Sequence, residues 1–236
     1  HRKFAMKTLF VSGTDTEVGK TWVSCQILRH LRNMGHRVGA WKPVCSGAVE
    51  RDGQLVWEDI EALSEAIGGD STDATLIDRI CSQRFTFPMA PNVAARLEGR
   101  EVSDEILVDG PRIWRDHADL LLIEGAGGLL SPTSDGMLVA DLALTLGSPL
   151  LLVAANRLGT IHQTLATLEA AQTRGFNVVA VVLNTVSNDV DPTLSQVNES
   201  ELRRLIPDTP LLVTARDSNF SVEAPAVECA AWFQVS

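Results

Sequence analysis

The segment GTDTEVGKT, Gly13 to Thr21, closes a short apolar run with a glycine, a lysine and a hydroxyl residue in succession. Those types in that order suit a phosphate chain. Backbone N–H groups can turn inward at a helix start, Lys20 can supply positive charge to β and γ phosphates, and the Thr21 hydroxyl can ligate magnesium. The strict spacing GxxxxGK[ST] fails by one residue, because five residues separate Gly13 from Gly19. The segment therefore reads as a variant loop in which Thr14 takes the place of the first glycine. Glu17 is unusual here, since phosphates repel a carboxylate. It suits a contact to a cationic substrate group or to magnesium, or else a solvated loop tip.

Other polar residues follow apolar runs in the same way. AWKPVCSG offers Lys42, kept extended by Pro43, and Ser46; a second lysine near the phosphates can stabilise charge on a transferring phosphoryl group. LLLIEGAGG ends in Glu124, where phosphate-loop proteins carry a magnesium-binding acid, and Gly125, Gly127 and Gly128 permit close backbone approach. Asp59 in VWEDIEAL reads either as part of this set or as a helix N-cap. Asn184, closing NVVAVVLN, reads either as an amide for a base or as a turn residue. No HExxH or GxSxG segment is visible and the five histidines are dispersed, so metal hydrolysis and acyl-enzyme chemistry have no residues to stand on.

The elements that must position these residues follow from periodicity. Strands are expected at Lys7–Ser12, Val38–Lys42, Asp119–Ile123, Pro149–Ala155, Asn177–Leu183 and Pro210–Val213. Their continuous apolar character fits parallel strands covered on both faces. Helices are expected at Lys20–Met34, Asp59–Ile67, Asp104–Arg115, Ile161–Arg174, Thr193–Leu205 and, as a closing element, Ser221–Phe233. The first strand, helix and strand make a βαβ unit. Gly68–Arg100 is rich in Pro and Asp and reads as a long excursion over the functional edge of the sheet. In an open parallel sheet ligands bind outside the carboxyl ends of the strands, where the polar residues above fall.

With 236 residues, 45% hydrophobic and 21% charged, the chain can bury a large core, and one domain over residues 6–236 is expected. A formal net charge of −10 and the lack of an RNP-like aromatic string disfavour nucleic acid and anionic membrane as partners. Four scattered cysteines form no CxxC pair, which suits a reducing cytosol. No apolar run approaches the roughly 20 residues that span a bilayer. His1–Ala5 precede Met6, lack a signal-peptide core and read as a leader without functional weight.

Taken in order, GTDTEVGKT, WKPVCSG, Asp59, IEGAGGLLSP and VLNTV resemble the dethiobiotin synthetase family over Met6 to about Leu212. The resemblance implies an α/β fold, a P-loop NTPase-type three-layer sandwich with a mainly parallel central sheet and helices on both faces, in a cytoplasmic homodimer. It implies a ligase that converts 7,8-diaminononanoate (diaminopelargonate), CO2 and ATP with Mg2+ into dethiobiotin, ADP and phosphate. A carbamate forms on one amine and attacks the γ-phosphate, and the other amine closes the ring by expelling phosphate.

Carried over by position, Lys20 and Lys42 become catalytic, and Thr21, Asp59 and Glu124 become magnesium ligands. Glu17, Val18, Gly19, Lys20, Thr21 and Trp22 cradle ATP, joined by Asp59, by Glu124, Gly125, Ala126 and Gly127, and by Asn184 at adenine. Thr16, Glu17 and Ser46 lie near the diamine and carbamate. Gly159, Thr160 and Ile161 anchor the substrate carboxylate at a helix start across the dimer interface, where free N–H groups and the dipole favour an anion.

The chain departs from relatives in reading LLVTARDSNF where many have a proline-containing segment, and in His162 where some have asparagine. No adenine contact is therefore assigned after Leu212. Related cobyrinate amidases add a glutaminase domain that these 236 residues do not contain, and partitioning ATPases place a signature lysine where Asp15 stands. Lys20→Gln and Lys42→Leu are each expected to lower turnover by orders of magnitude and leave the fold intact.

Overall fold

The computed structural model describes residues 6–186, 191–215 and 229–235. The first apolar run forms β1 (Lys7–Gly13), and α1 (Lys20–Asn33) follows the phosphate-loop sequence. α1 ends where glycine allows it to. Gly35 takes φ +89°, its N–H donates to Arg32 O (2.9 Å), and the His36 N–H donates to Leu31 O (3.1 Å). This left-handed closure satisfies carbonyls the helix leaves free.

β2 (Val38–Trp41) leads to a hairpin that periodicity did not reveal, β3 (Val49–Arg51) and β4 (Gln54–Val56). Asp52 and Gly53 both have positive φ, the two-residue turn that Asp-Gly favours. α2 (Glu58–Ala66) comes next. The irregular stretch 68–100 holds two short helices, α3 (Ala74–Ile80) and α4 (Pro91–Leu97). Between them the chain runs beside residues 45–48: Cys45 N–H donates to Gln83 O (3.0 Å), Phe85 N–H to Cys45 O (2.9 Å) and Ala48 N–H to Thr86 O (3.0 Å). The excursion thereby brings Pro88–Pro91 to the functional edge.

The helix expected over Asp104–Arg115 breaks. α5 (Asp104–Asp109) passes into a 3-10 turn, Gly110–Trp114. Pro111 has no N–H for the α ladder, and Gly110 presses so close to Trp41 that a Cβ would sit 2.2 Å from the indole. β5 (Leu120–Gly128) runs well past its expected end, and α6 (Val139–Thr145) is a short buried helix the sequence pattern hid. β6 (Leu150–Ala155), α7 (Thr160–Thr173), β7 (Val178–Thr185), α8 (Pro192–Leu205) and β8 (Leu211–Ala215) fall close to expectation.

His1–Ala5 and most of the expected closing helix lie outside the described residues. The described end of that segment is a 3-10 turn (Cys229–Trp232) leading into β9 (Gln234–Val235), not an α-helix. β9 pairs antiparallel with Lys7 and Thr8, ahead of Phe10 where β6 begins to pair, and so meets backbone groups β6 does not reach.

The sheet order is β2-β5-β1-β6-β7-β8, all parallel, with β9 attached to β1. Every residue of β6 is buried, as in a sheet covered on both faces. From β1 the chain first moves toward β2 and later, through β6, toward the opposite edge. That reversal opens a crevice at the carboxyl end of β1. Among the described residues no helix is long and apolar enough to cross a membrane.

Candidate active site

A cleft of about 890 Å³ opens at that crevice. Its floor is the loop after β1, where Glu17 (φ +57°) and Gly19 (φ +86°) take left-handed conformations. The first turn of α1 has no side-chain cap, which leaves its N–H groups for an anion. Lys20 is buried and its ammonium donates to Asp15 O (3.0 Å). Burial dominates its environment and pulls its pKa down to about 8, against the opposing pull of Glu124.

Thr21 from α1, Lys42 just after β2, Asp59 from α2 and Glu124 from β5 meet at one point. The Thr21 hydroxyl lies 2.8 Å from Asp59 Oδ1 and 2.9 Å from Glu124 Oε1, so a single proton faces two carboxylates. Lys42 Nζ bridges the same pair, contacting Asp59 Oδ2 and lying 2.8 Å from Glu124 Oε1. Burial is the strongest single influence on Lys42 and acts downward, but Asp59 and Glu124 together outweigh it and hold its pKa above the usual lysine value. The Lys42 charge is the main reason the Asp59 carboxyl sits below its ordinary range, with burial opposing. Glu124 Oε2 is buried without a hydrogen-bond partner among the described residues.

The local structure explains each position. Asp59 is the second residue of α2; the N-cap is Trp57, and the Asp59 carboxylate turns to the cleft instead of capping the helix. Glu124 lies inside β5, not at its tip, opposite Val11 and just before the register shift that ends with Gly13 against Gly128. Two glycines after it serve the protein's own packing. A Cβ on Gly125 would meet Val139 at 2.8 Å, and Gly127 (φ +78°) crowds Ser131. Both still line the cleft with Ala126.

Thr16, Glu17, Trp22 and Ser46 also line it, and the Ser46 hydroxyl donates to Met89 O (2.6 Å). Val18 does not: its side chain is fully buried, and its carbonyl accepts from Asn184 Nδ2 (3.0 Å). Asn184 lines the cleft from β7, and its other amide atom accepts from Thr214 (2.9 Å). The sequence reading missed Pro88, Met89, Ala90 and Pro91, whose closely spaced prolines were the available signal, and Ser131 and Pro132. Cys45 reaches the cleft, but burial pushes its thiol up to about 11, so it is no ready nucleophile.

Gly159, Thr160 and Ile161 stand apart from these residues and do not line the cleft. Gly159 (φ +91°) is the uncapped start of α7, Thr160 Oγ1 is buried without a partner among the described residues, and the adjoining Leu158 is 84% exposed. Asp15 links the two regions, its Oδ2 lying 3.3 Å from Gln163 Nε2 and 3.5 Å from Arg157 Nη2.

Residues 7–215 match a family described as an AAA domain (AAA_26). The chain is 40% identical over 206 residues to ATP-dependent dethiobiotin synthetase BioD of Rhodopirellula baltica, covering 83% of this chain and 78% of that one. It is 39% identical over 222 residues to the protein of the same name from Anaeromyxobacter dehalogenans, covering 94% and 96%. Chloroplast FtsY from Physcomitrella patens superposes with a TM-score of 0.51 at 16% identity, over 91% of this chain but only 60% of that one, a likeness of fold alone.

Proposed function

The chain belongs to the ATP-dependent dethiobiotin synthetase family, ligases that form carbon–nitrogen bonds, and we propose that its cleft binds MgATP, CO2 and 7,8-diaminononanoate and closes the ureido ring of dethiobiotin. The observation that carries this reading is the meeting of Lys42, Asp59, Glu124 and Thr21 beside the loop that ends in Lys20. Uncapped N–H groups at the start of α1 take the phosphates, and Asn184 takes the adenine.

The Thr21, Asp59 and Glu124 oxygens, including the unpartnered Glu124 Oε2, are the hard donors that magnesium prefers. When bound there it neutralises charge on the phosphate chain. One substrate amine adds to CO2 and loses a proton, giving a carbamate near Thr16, Glu17 and Ser46. A carbamate oxygen attacks the γ-phosphorus and ADP leaves. Lys20 and Lys42 offset the charge that spreads over the transferring group. The second amine then attacks the carbamoyl carbon and phosphate departs. No protein nucleophile is needed, consistent with the protonated Cys45 thiol. Catalysis is positioning plus charge stabilisation.

In this reading the protein is a cytoplasmic homodimer, and the start of α7 at Gly159, Thr160 and Ile161 holds the carboxylate of the substrate bound in the partner subunit. Mass spectrometry of a mixture of protein, diamine, bicarbonate and MgATP tests the reaction. Dethiobiotin should accumulate, and ATP hydrolysis should require diamine and bicarbonate together. Hydrolysis stimulated instead by DNA or lipid would replace this reading with a switch ATPase.

A further inference from the structure

The Asn184 side chain is held from two sides. Nδ2 donates to Val18 O at 3.0 Å and Oδ1 accepts from Thr214 Oγ1 at 2.9 Å, with all three residues buried. A main-chain carbonyl only accepts, so it must face the NH2 end of the amide. The Thr214 hydroxyl then donates to the oxygen end. Register sets this geometry, since Asn184 and Thr214 are direct partners in the β7–β8 pair. The amide also packs directly on the phosphate loop: a Cβ on Gly19 would sit 2.1 Å from Nδ2.

Among the described residues these two bonds leave the amide, at the wall of the cleft, one N–H and one lone pair. A donor beside an acceptor complements N7 and the N6 amino group of adenine. Guanine presents two acceptors, N7 and O6, on that edge, and O6 would oppose the amide oxygen. We propose that Thr214 is the positioning residue for nucleotide selection: its hydroxyl fixes Asn184 in the orientation that accepts adenine and disfavours guanine. The inference rests on the reading of the cleft as an ATP site. Thr214 lies on β8, and it acts through Asn184 without touching the base.

Thr214→Val removes the hydroxyl and keeps the branched shape, Thr214→Ala is a second hydroxyl-free variant, and Thr214→Ser restores the hydroxyl. Calorimetric binding of ADP and GDP is the direct readout, with KM for ATP, KM for diamine and kcat beside it. Loss of one buried hydrogen bond should weaken ADP binding about 10-fold in the Val and Ala variants. The ADP-to-GDP preference should narrow by a similar factor, with kcat and the diamine KM unchanged and the Ser variant near wild type. Wild-type ADP affinity in the Val variant, an unaltered preference, failure of Ser to restore, or parallel changes in diamine KM and kcat would each overturn the proposal. A wild-type protein that binds ADP but makes no dethiobiotin removes the proposed reaction, while the calorimetric result on Thr214 still decides this one.

Discussion

Lys42 Nζ lies 2.8 Å from Glu124 Oε1, and both side chains are almost wholly buried, being 4% and 0% exposed. With Asp59 on its other side, the ammonium separates two carboxylates that would otherwise face each other across the Thr21 hydroxyl. Lys42 therefore has a structural task in the free protein before it has a chemical one. That changes what its removal does: the expectation that the fold would be indifferent does not suit so buried a cation.

Lys42→Leu should lower turnover by about 10²- to 10³-fold, the usual effect of deleting a group that stabilises developing charge. It should also destabilise the fold by about 3 kcal/mol, because a buried acid loses its partner. Magnesium should recover part of that loss, since it can neutralise the same carboxylates. Thermal unfolding with and without magnesium checks the point, and an unchanged midpoint would remove the structural task.

Lys20→Gln should behave differently. Burial makes the Lys20 charge costly, as its pKa of about 8 records, and its bond is to a main-chain carbonyl, not to a carboxylate. Turnover should collapse while stability against denaturant stays level or rises. Comparing the two lysine variants in one urea titration separates the charge the fold needs from the charge only the reaction needs.

The meeting of Lys20, Lys42 and Glu124 in one cleft was legible because a parallel sheet delivers its polar residues near strand ends, so each could be read from the run that precedes it. Asp59 could not be decided, since an acid in the first turn of a helix suits a cap as well as a cleft; only the fold shows its carboxylate facing Thr21 and Lys42. Thr214 was invisible, because its role depends on cross-strand register with Asn184. The β3–β4 hairpin did carry an Asp-Gly signal, but each strand has three residues, too few for alternation to register. Gly125 and Gly127 read from the sequence as room for a ligand, and only the fold shows that Val139 and Ser131 also require them to be small.

Acid should loosen the segment that brings Pro88–Pro91 to the cleft. Glu98, just after α4, accepts from the Thr86 N–H (2.5 Å), the Thr86 hydroxyl (2.6 Å) and Arg100 Nη1 (3.1 Å). Burial alone would raise its pKa, but these bonds together hold it below the ordinary value of 4.5. The unfolded chain thus takes up the proton first as pH falls. The stability Glu98 contributes is complete above 4.5 and disappears as pH drops through the lower folded value. Glu98→Gln should be less stable than wild type at neutral pH, and the gap should close in acid. A gap that stays constant across a series of urea titrations would mean the carboxylate is not what matters.

Gly19 and Gly35 offer a matched test of whether the loop needs glycine for its backbone or for its neighbours. Their φ angles are nearly equal, +86° and +89°, so alanine carries a similar left-handed strain at either site, about 1–2 kcal/mol. The surroundings differ. A Cβ at Gly35 meets nothing within 4 Å among the described residues, whereas one at Gly19 would lie 2.1 Å from Asn184 Nδ2 and displace the amide from Val18 O. Gly35→Ala should therefore lower the unfolding midpoint and leave ADP affinity as it was. Gly19→Ala should cost more stability and weaken ADP by well over the loss in Thr214→Val, because it shifts the phosphate loop and the amide together. Equal ADP affinities in the two alanine variants would show that the Asn184 side chain yields freely, and that its contact with the loop has no part in holding the nucleotide.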